Sequence, residues 1–289
     1  MPSENSWKTK RGQMNRDGYC LLESVVSMDL IDGLREGTDR LLDEFSPVAQ
    51  HLVRYQGSNL SIDFQHPSFA ELVTSPALLG SLDRLGWPAP RYMSGYILSK
   101  PPGGPPLYWH QDWGGWDDPV SFEAEPMQIF VMVYLTDTVV HNGCLRVIPG
   151  THRYRIDLHD ELTEAHSPAA HDATLSDTSP MFRRRPDEVD VPVKVGDLVI
   201  GDARVLHAAH ANQSNRRRTC MTLWYFTRWD ECSEPLQSLY RWRNDLPDDM
   251  DGEQRSRVES ILTRYDGSME PLPFNRHLPA GWGSGQVEG

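Results

Sequence analysis

The chain has 289 residues, enough for one large domain or two small ones with a sizeable core. A formal net charge of −13 leaves no basic field to hold a polyanion, so nucleic acid and anionic membranes are excluded as partners. The cysteines Cys20, Cys144, Cys220 and Cys232 are far apart and form no CxxC, which argues against a zinc ribbon, a redox pair or a disulfide framework.

The opening stretch MPSENSWKTKRGQMNRDG is polar and lacks the apolar centre of a secretory signal, and reads as a polar leader. The longest apolar run, IFVMVYL, is too short to span a bilayer, so a soluble, cytoplasmic protein is expected. GYCLLES is a short strand candidate. SMDLIDGLREGTDRLLDEF has apolar residues at helical spacing, with Ser27 placed to cap it. PSFAELVTSPALLGSLDRL is a second helical stretch that Pro76 should break.

From Tyr92 the texture changes to short segments rich in β-branched and aromatic residues, divided by Gly, Pro, Asn and Asp turns. The strand candidates are YMSGYILSK, PLYWHQD, MQIFVMVYLTD, GCLRVIP, VDVPVKV, DLVIGD, VLHAAH and TCMTLWYFTRW. About eight strands with interrupting loops predict a mainly β fold, a cupin-like jelly roll able to hold a small site, flanked by N-terminal and C-terminal helices. Residues 1–289 are expected to form a single domain with a core at about 90–229. Residues 151–187 lack periodicity and read as a long cover loop. The extension 230–289 carries a helix candidate, GEQRSRVESILTRY, and ends in a frayed GWGSGQVEG.

Within PPLYWHQDWGGWDD, His110 and Asp112 lie two apart, and residues so spaced on a strand share a face. The segment GDLVIGDARVLHAAHANQSNRRRTCMTLWYF offers His207 and His210 as a third metal ligand. Two histidines and one carboxylate on one face of a metal, with open positions opposite, are the ligand set of non-haem Fe(II) oxygenases. A keto-diacid cosubstrate would also need a buried guanidinium for its distal carboxylate, and Arg216, Arg217 and Arg218 follow the histidines.

With these parts in order, the chain resembles the phytanoyl-CoA dioxygenase family of Fe(II)/2-oxoglutarate-dependent oxygenases. The matching stretches are DGYCLLESVVS, YILSKPPGGPPLYWHQD, NGCLRVIPGTHR and GDLVIGDARVLHAAHANQSNRRRTCMTLWY, spread over roughly residues 17 to 226. The resemblance implies a double-stranded β-helix core and the use of Fe(II), 2-oxoglutarate and O2. It assigns His110 and Asp112 to the family's HxD pair. The family spaces its distal histidine five residues before an Asn, seven before a Ser and eleven before the cosubstrate Arg. His207 meets all three, at Asn212, Ser214 and Arg218, whereas His210 leads to Asn215, Arg217 and Met221 and fails at the last two. Lys100, Gln128 and Thr151 match positions near the cosubstrate. If Arg218 points inward, Cys220, Thr222 and Trp224 share its face, while Met221, Leu223 and Tyr225 face the opposite layer.

Trp113 is read as a wall of the substrate pocket, and Gly143 and Gly150 as turn residues. His159-Asp160-Glu161 repeats the His-x-carboxylate spacing but reads as surface loop; Arg183 to Arg185 read as a solvated loop, and His210 as a satisfied polar residue. The expected activity is hydroxylation of a free small organic molecule with an apolar part, releasing succinate and CO2. Competing readings are an acyl-CoA hydroxylase of phytanoyl-CoA type, a non-redox cupin-type metal enzyme and a ligand-binding protein. The carboxylate at Asp112 disfavours halogenation, because related halogenases put a small residue there.

Overall fold

In the computed structural model, which describes residues 4–44, 58–162, 179–279 and 282, the alternating segments pair into two antiparallel sheets. The larger sheet runs β1 (Tyr19–Leu22), β8 (Leu198–Asp202), β5 (Gln128–Tyr134), β10 (Arg218–Phe226), β3 (Arg91–Lys100) and β2 (Ser58–Ser61). The smaller runs β4 (Leu107–His110), β9 (His207–Ala209), β6 (Leu145–Val147) and β7 (Val189–Val191). All eight strand candidates of the sequence are found. The inner faces meet where Phe130, Met132, Tyr134 and Cys220 of the larger sheet pack with Leu145, Val147 and Val191 of the smaller. This is a jelly roll, the double-stranded β-helix.

The strand period decides what each layer receives. On β10, Met221, Leu223 and Tyr225 face out of the roll and join Ile97, Val131 and Ile200 in the largest hydrophobic core. That core is closed by helix α2 (Met28–Glu44), whose Leu30, Ile31, Leu34 and Leu42 form one buried stripe. Ser27 caps it, its Oγ accepting from the Leu30 amide at 3.3 Å. Pro76 does break the next helical stretch, dividing α3 (Pro67–Val73) from α4 (Pro76–Arg84), and it also starts α4 behind the cap Ser75.

The opening polar stretch has regular structure. It forms α1 (Glu4–Asp17), which has only Met14 fully buried and is tied down by Arg11 through Glu125 and the Leu85 carbonyl. With so few apolar residues it carries no amphipathic signal, and tertiary ties hold it instead. The excursion after residue 150 is ordered at both flanks: α5 (Leu158–Glu161) buries Leu158 on the back of the smaller sheet, and Met181 and Phe182 pack on Leu107, Tyr108 and Ala209. Residues 163–178, the centre of the expected cover, lie outside the described residues, as does nearly all of the expected frayed terminus.

In the C-terminal extension, α6 (Glu234–Tyr240) comes first and α7 (Gly252–Glu259) second. The latter stops short of the predicted Tyr265, because Leu262 is drawn into a bridge with Tyr92 at the end of β3. Among the described residues no helix is long and apolar enough to cross a membrane.

Candidate active site

Strands β4 and β9 pair so that His110 and His207 sit directly opposite one another. Both imidazoles turn inward, with ring centroids 4.2 Å apart, while the intervening Trp109 points to the back of the sheet. Asp112 follows on the loop, pinned by its amide to the Ala203 carbonyl at 2.9 Å. Its Oδ1 lies 3.5 Å from His110 Nε2 and its Oδ2 3.7 Å from His207 Nε2. The Nδ1 atoms bond backwards, to the carbonyls of Tyr108 at 2.9 Å and Val205 at 3.1 Å. Such bonds fix the ring orientation and leave each Nε2 aimed at the carboxylate, as metal-binding histidines require. One ligand atom from each residue falls within 4.8 Å of the others, and both histidines are buried. This donor set fits one divalent ion with positions left open on the cavity side.

The surrounding turns are fixed by polar anchors. Arg204 is buried against Asp202 at 2.7 Å and donates to the carbonyls of Ser121 and Glu123, joining the β8–β9 turn to the loop after Asp112. Thr151 bridges the Ile148 carbonyl and the Leu206 amide, one residue before His207. It therefore steadies the backbone of β9 and does not line the cavity.

At the other end of the cavity, Arg218 of β10 pairs in register with Lys100 of β3. Arg218 is 4% exposed and has no carboxylate partner among the described residues. Its Nε has no hydrogen bond there, and its Nη1 reaches only the Cys220 thiol, at 2.9 Å. A buried cation in that condition is costly unless an anion is supplied, and a planar fork suits a carboxylate. Lys100 is also buried, its Nζ donating to the carbonyls of Pro105 at 2.7 Å and His210 at 2.8 Å. Burial first, then the neighbouring Arg218, pushes its pKa well below the usual lysine range. Gln128 faces the cavity as well, with a buried Nε2 lacking a partner among the described residues.

The motif around Arg218 now has a physical explanation. Asn212, fully buried, donates to the carbonyls of Lys100, Pro101 and Arg216, and its Oδ1 accepts from the Ser214 amide and hydroxyl. It thus ties the β9–β10 loop to the end of β3 and sets Arg218 opposite Lys100. Arg217 instead faces Asp39 and Asp43 on the outer surface.

The cavity, about 480 Å³, joins the two groups of residues. Arg218, Cys220, Thr222 and Trp224 line it from β10, in the predicted alternation, and Tyr96, Leu98 and Lys100 from β3. Trp224 donates its indole N–H to Asp112 Oδ2 at 2.9 Å. Sequence reasoning gave Trp224 a face but no role, and it missed Tyr240, Phe274 and Arg276, which also line the cavity. Their spacing from the ligands in the chain is arbitrary, and only the path of the extension brings them in.

Trp113, expected as a pocket wall, lies behind Tyr240, stacked on it at 5.6 Å and bonded to Ser121, and is absent from the cavity lining. His210 stands apart from the triad, beside Cys144 and Asp190; its Nε2 meets Asp190 at 2.6 Å and Arg184 at 3.0 Å. Arg184 already supplies the positive charge that this second cluster wants. Asp160 and Glu161 pair with Arg155 and Arg183, as a surface loop should, but the His159 ring is half-buried beside Gln111. Burial lowers its pKa to about 4. Arg183, Arg184 and Arg185 are all engaged with acids: Glu161, Glu188, Asp190, Asp157 and Asp187.

Comparison with known proteins agrees with this geometry. The family model Phytanoyl-CoA dioxygenase (PhyH) matches residues 14–220. The chain is 28% identical over 219 residues to ectoine dioxygenase of Sphingopyxis alaskensis, covering 68% of each protein. It is 22% identical over 275 residues to phytanoyl-CoA dioxygenase of Arabidopsis thaliana, covering 77% of this chain and 93% of that one. Among solved structures, the non-heme alpha ketoglutarate dependent carbocyclase SnoK from nogalamycin biosynthesis superposes with a TM-score of 0.58 at 23% identity, covering 86% of this chain and 90% of that one. The chain belongs to the phytanoyl-CoA dioxygenase family of Fe(II)/2-oxoglutarate-dependent oxygenases.

Proposed function

We propose that this enzyme hydroxylates a free small organic molecule with a substantial apolar part, using Fe(II) held by His110, Asp112 and His207. The observation that carries this reading is Arg218: a buried guanidinium without a carboxylate among the described residues, in the same cavity as the triad. It anchors the distal carboxylate of 2-oxoglutarate, with Lys100 and Gln128 beside it. When bound, iron, 2-oxoglutarate and O2 supply the oxidising chemistry, with succinate and CO2 released.

The chain's own part is to orient and to keep water out. Trp224 holds one oxygen of Asp112, and the two backbone carbonyls hold the imidazoles. Asp112 fills the carboxylate position, which favours oxygen transfer over halogenation. Thr151 acts through the backbone before His207 and Trp113 through Tyr240; neither is assigned a ligand contact. The whole of 1–289 is taken as one domain, since helices from both ends share cores with the roll.

A free substrate is favoured over a coenzyme A thioester because the compact cluster Arg183 to Arg185 is already neutralised by acids. Among the relatives one is named for ectoine and another for phytanoyl-CoA, so the arginine cluster decides between the two readings. The test is succinate release in a substrate screen with Fe(II), 2-oxoglutarate and O2. Succinate rising with a hydroxylated product from a free acid, amine or alcohol supports the reading, whereas turnover confined to acyl-CoA substrates refutes it.

A further inference from the structure

The C-terminal extension returns to the cavity as a strap. Asn275 is bonded to Gly114 through its amide at 2.9 Å and to Asp117 through its side chain at 2.8 Å, just beyond Asp112. Its two neighbours in the chain, Phe274 and Arg276, both line the cavity. The strap can lie this close because residue 114 is glycine: a Cβ there would come within 2.4 Å of the Phe274 ring. Phe274 packs edge-on against Tyr240 at 5.3 Å, and the Arg276 guanidinium lies over Phe274 at 5.0 Å.

Arg276 shares one feature with Arg218, although it is only half-buried. Its Nε is buried without a hydrogen bond, and it has no carboxylate partner among the described residues. Yet it belongs to the other end of the cavity. Along the paired strands, Arg218 faces Lys100 while Trp224 faces Ser94, six residues further on. At about 3.3 Å per residue the two strand positions lie roughly 20 Å apart along the backbone, while the side chains of both reach into the one cavity between. Asp112 lies at the Trp224 level, bonded to it, and Tyr240 bonds the Gly114 amide close by. A 2-oxoglutarate anchored on Arg218 has its distal carboxylate taken up there, which leaves Arg276 for another anion.

We propose that Arg276 is the anchor of the substrate subsite, and that the substrate bears an anionic oxygen group on an aromatic or alicyclic body. The anion neutralises Arg276, and the body lies among Tyr96, Trp224, Tyr240 and Phe274. This rests on the proposed function and narrows it to acids.

The test uses the full-length protein, kept anaerobic with Fe(II) and 2-oxoglutarate, and titrated with 2-naphthoate and with neutral 2-naphthamide. The expected result is that the acid binds about tenfold or more tightly than the amide, as for a charge-assisted contact. Arg276→Gln should reduce that preference to within about twofold, Arg276→Lys should retain part of it, and Arg216→Gln should leave it intact. No acid preference in the wild type, including no binding of the acid at all, overturns the proposal, as does an unchanged preference in Arg276→Gln. Binding of 2-oxoglutarate is measured separately on the wild type. Its failure would refute the proposed function while an acid preference lost in Arg276→Gln would still stand.

Discussion

Trp224 and Asp112 meet at 2.9 Å, and that single bond fixes which carboxylate oxygen is free to turn toward a metal. Groups that orient a metal ligand commonly account for a 10- to 100-fold effect on affinity. Trp224→Phe should therefore weaken Fe(II) binding by about 10- to 100-fold with little loss of fold, measured by anaerobic metal titration; unchanged affinity would show that the bond is incidental. The proposed ligands were legible from the sequence because His110-x-Asp112 and the spacing from His207 through Asn212 and Ser214 to Arg218 encode local geometry. Trp224 was only half legible: strand parity put it on the right face, but parity says nothing of what an indole will bond. Trp113 misled for the opposite reason. It neighbours Asp112 in sequence, yet the loop turns after Asp112 and buries it behind Tyr240.

The β9–β10 connection owes its shape to Asn212, whose amide satisfies three carbonyls at once. Asn212→Ala would leave those carbonyls and two Ser214 donors without their partner in a buried site. The expected cost is about 2–4 kcal/mol in stability, read by chemical denaturation, together with a raised 2-oxoglutarate requirement as Arg218 loses its register. Strands were the readable elements because short runs of β-branched and aromatic residues bounded by turn residues mark them even where both faces are buried, as in β5 and β8. Helix α1 was not readable, since it is nearly all polar and depends on Arg11 reaching Leu85 and Glu125 far along the chain. Strand β2, SNLS, was missed for a similar reason: an edge strand of small polar residues leaves no hydrophobic pattern. The strap at 274–276 has no regular structure, and the bonds of Asn275 to Gly114 and Asp117, with an isolated bridge to Gly115, help to place it.

At the scale of the whole molecule, stability and chemistry both rest on buried polar groups. Burial holds the His159 imidazole at about 4, whereas the unfolded chain takes up its proton near 6.5. Because the folded value is the lower one, this contribution is complete above about pH 6.5 and is lost as pH falls toward 4. The loss approaches about 3 kcal/mol, and thermal melts from pH 7.5 to 4.5 should show it. His159→Gln should flatten the slope of melting temperature in that window; an unchanged slope would place the acid sensitivity elsewhere.

The central claim is that one cavity holds iron at His110, Asp112 and His207 and 2-oxoglutarate at Arg218. Anaerobic titration of 2-oxoglutarate into the Fe(II)-loaded protein, followed by the visible charge-transfer band of a keto acid chelating Fe(II), tests both halves together. A saturable band at one equivalent of iron is expected in the wild type and a sharply weakened one in Asp112→Ala. In Arg218→Ala the band should form only at a far higher 2-oxoglutarate concentration, by about 2–5 kcal/mol in binding, with Arg216→Ala and Arg217→Ala close to wild type. An undiminished band in Asp112→Ala, or equal effects of the three arginine substitutions, would contradict it.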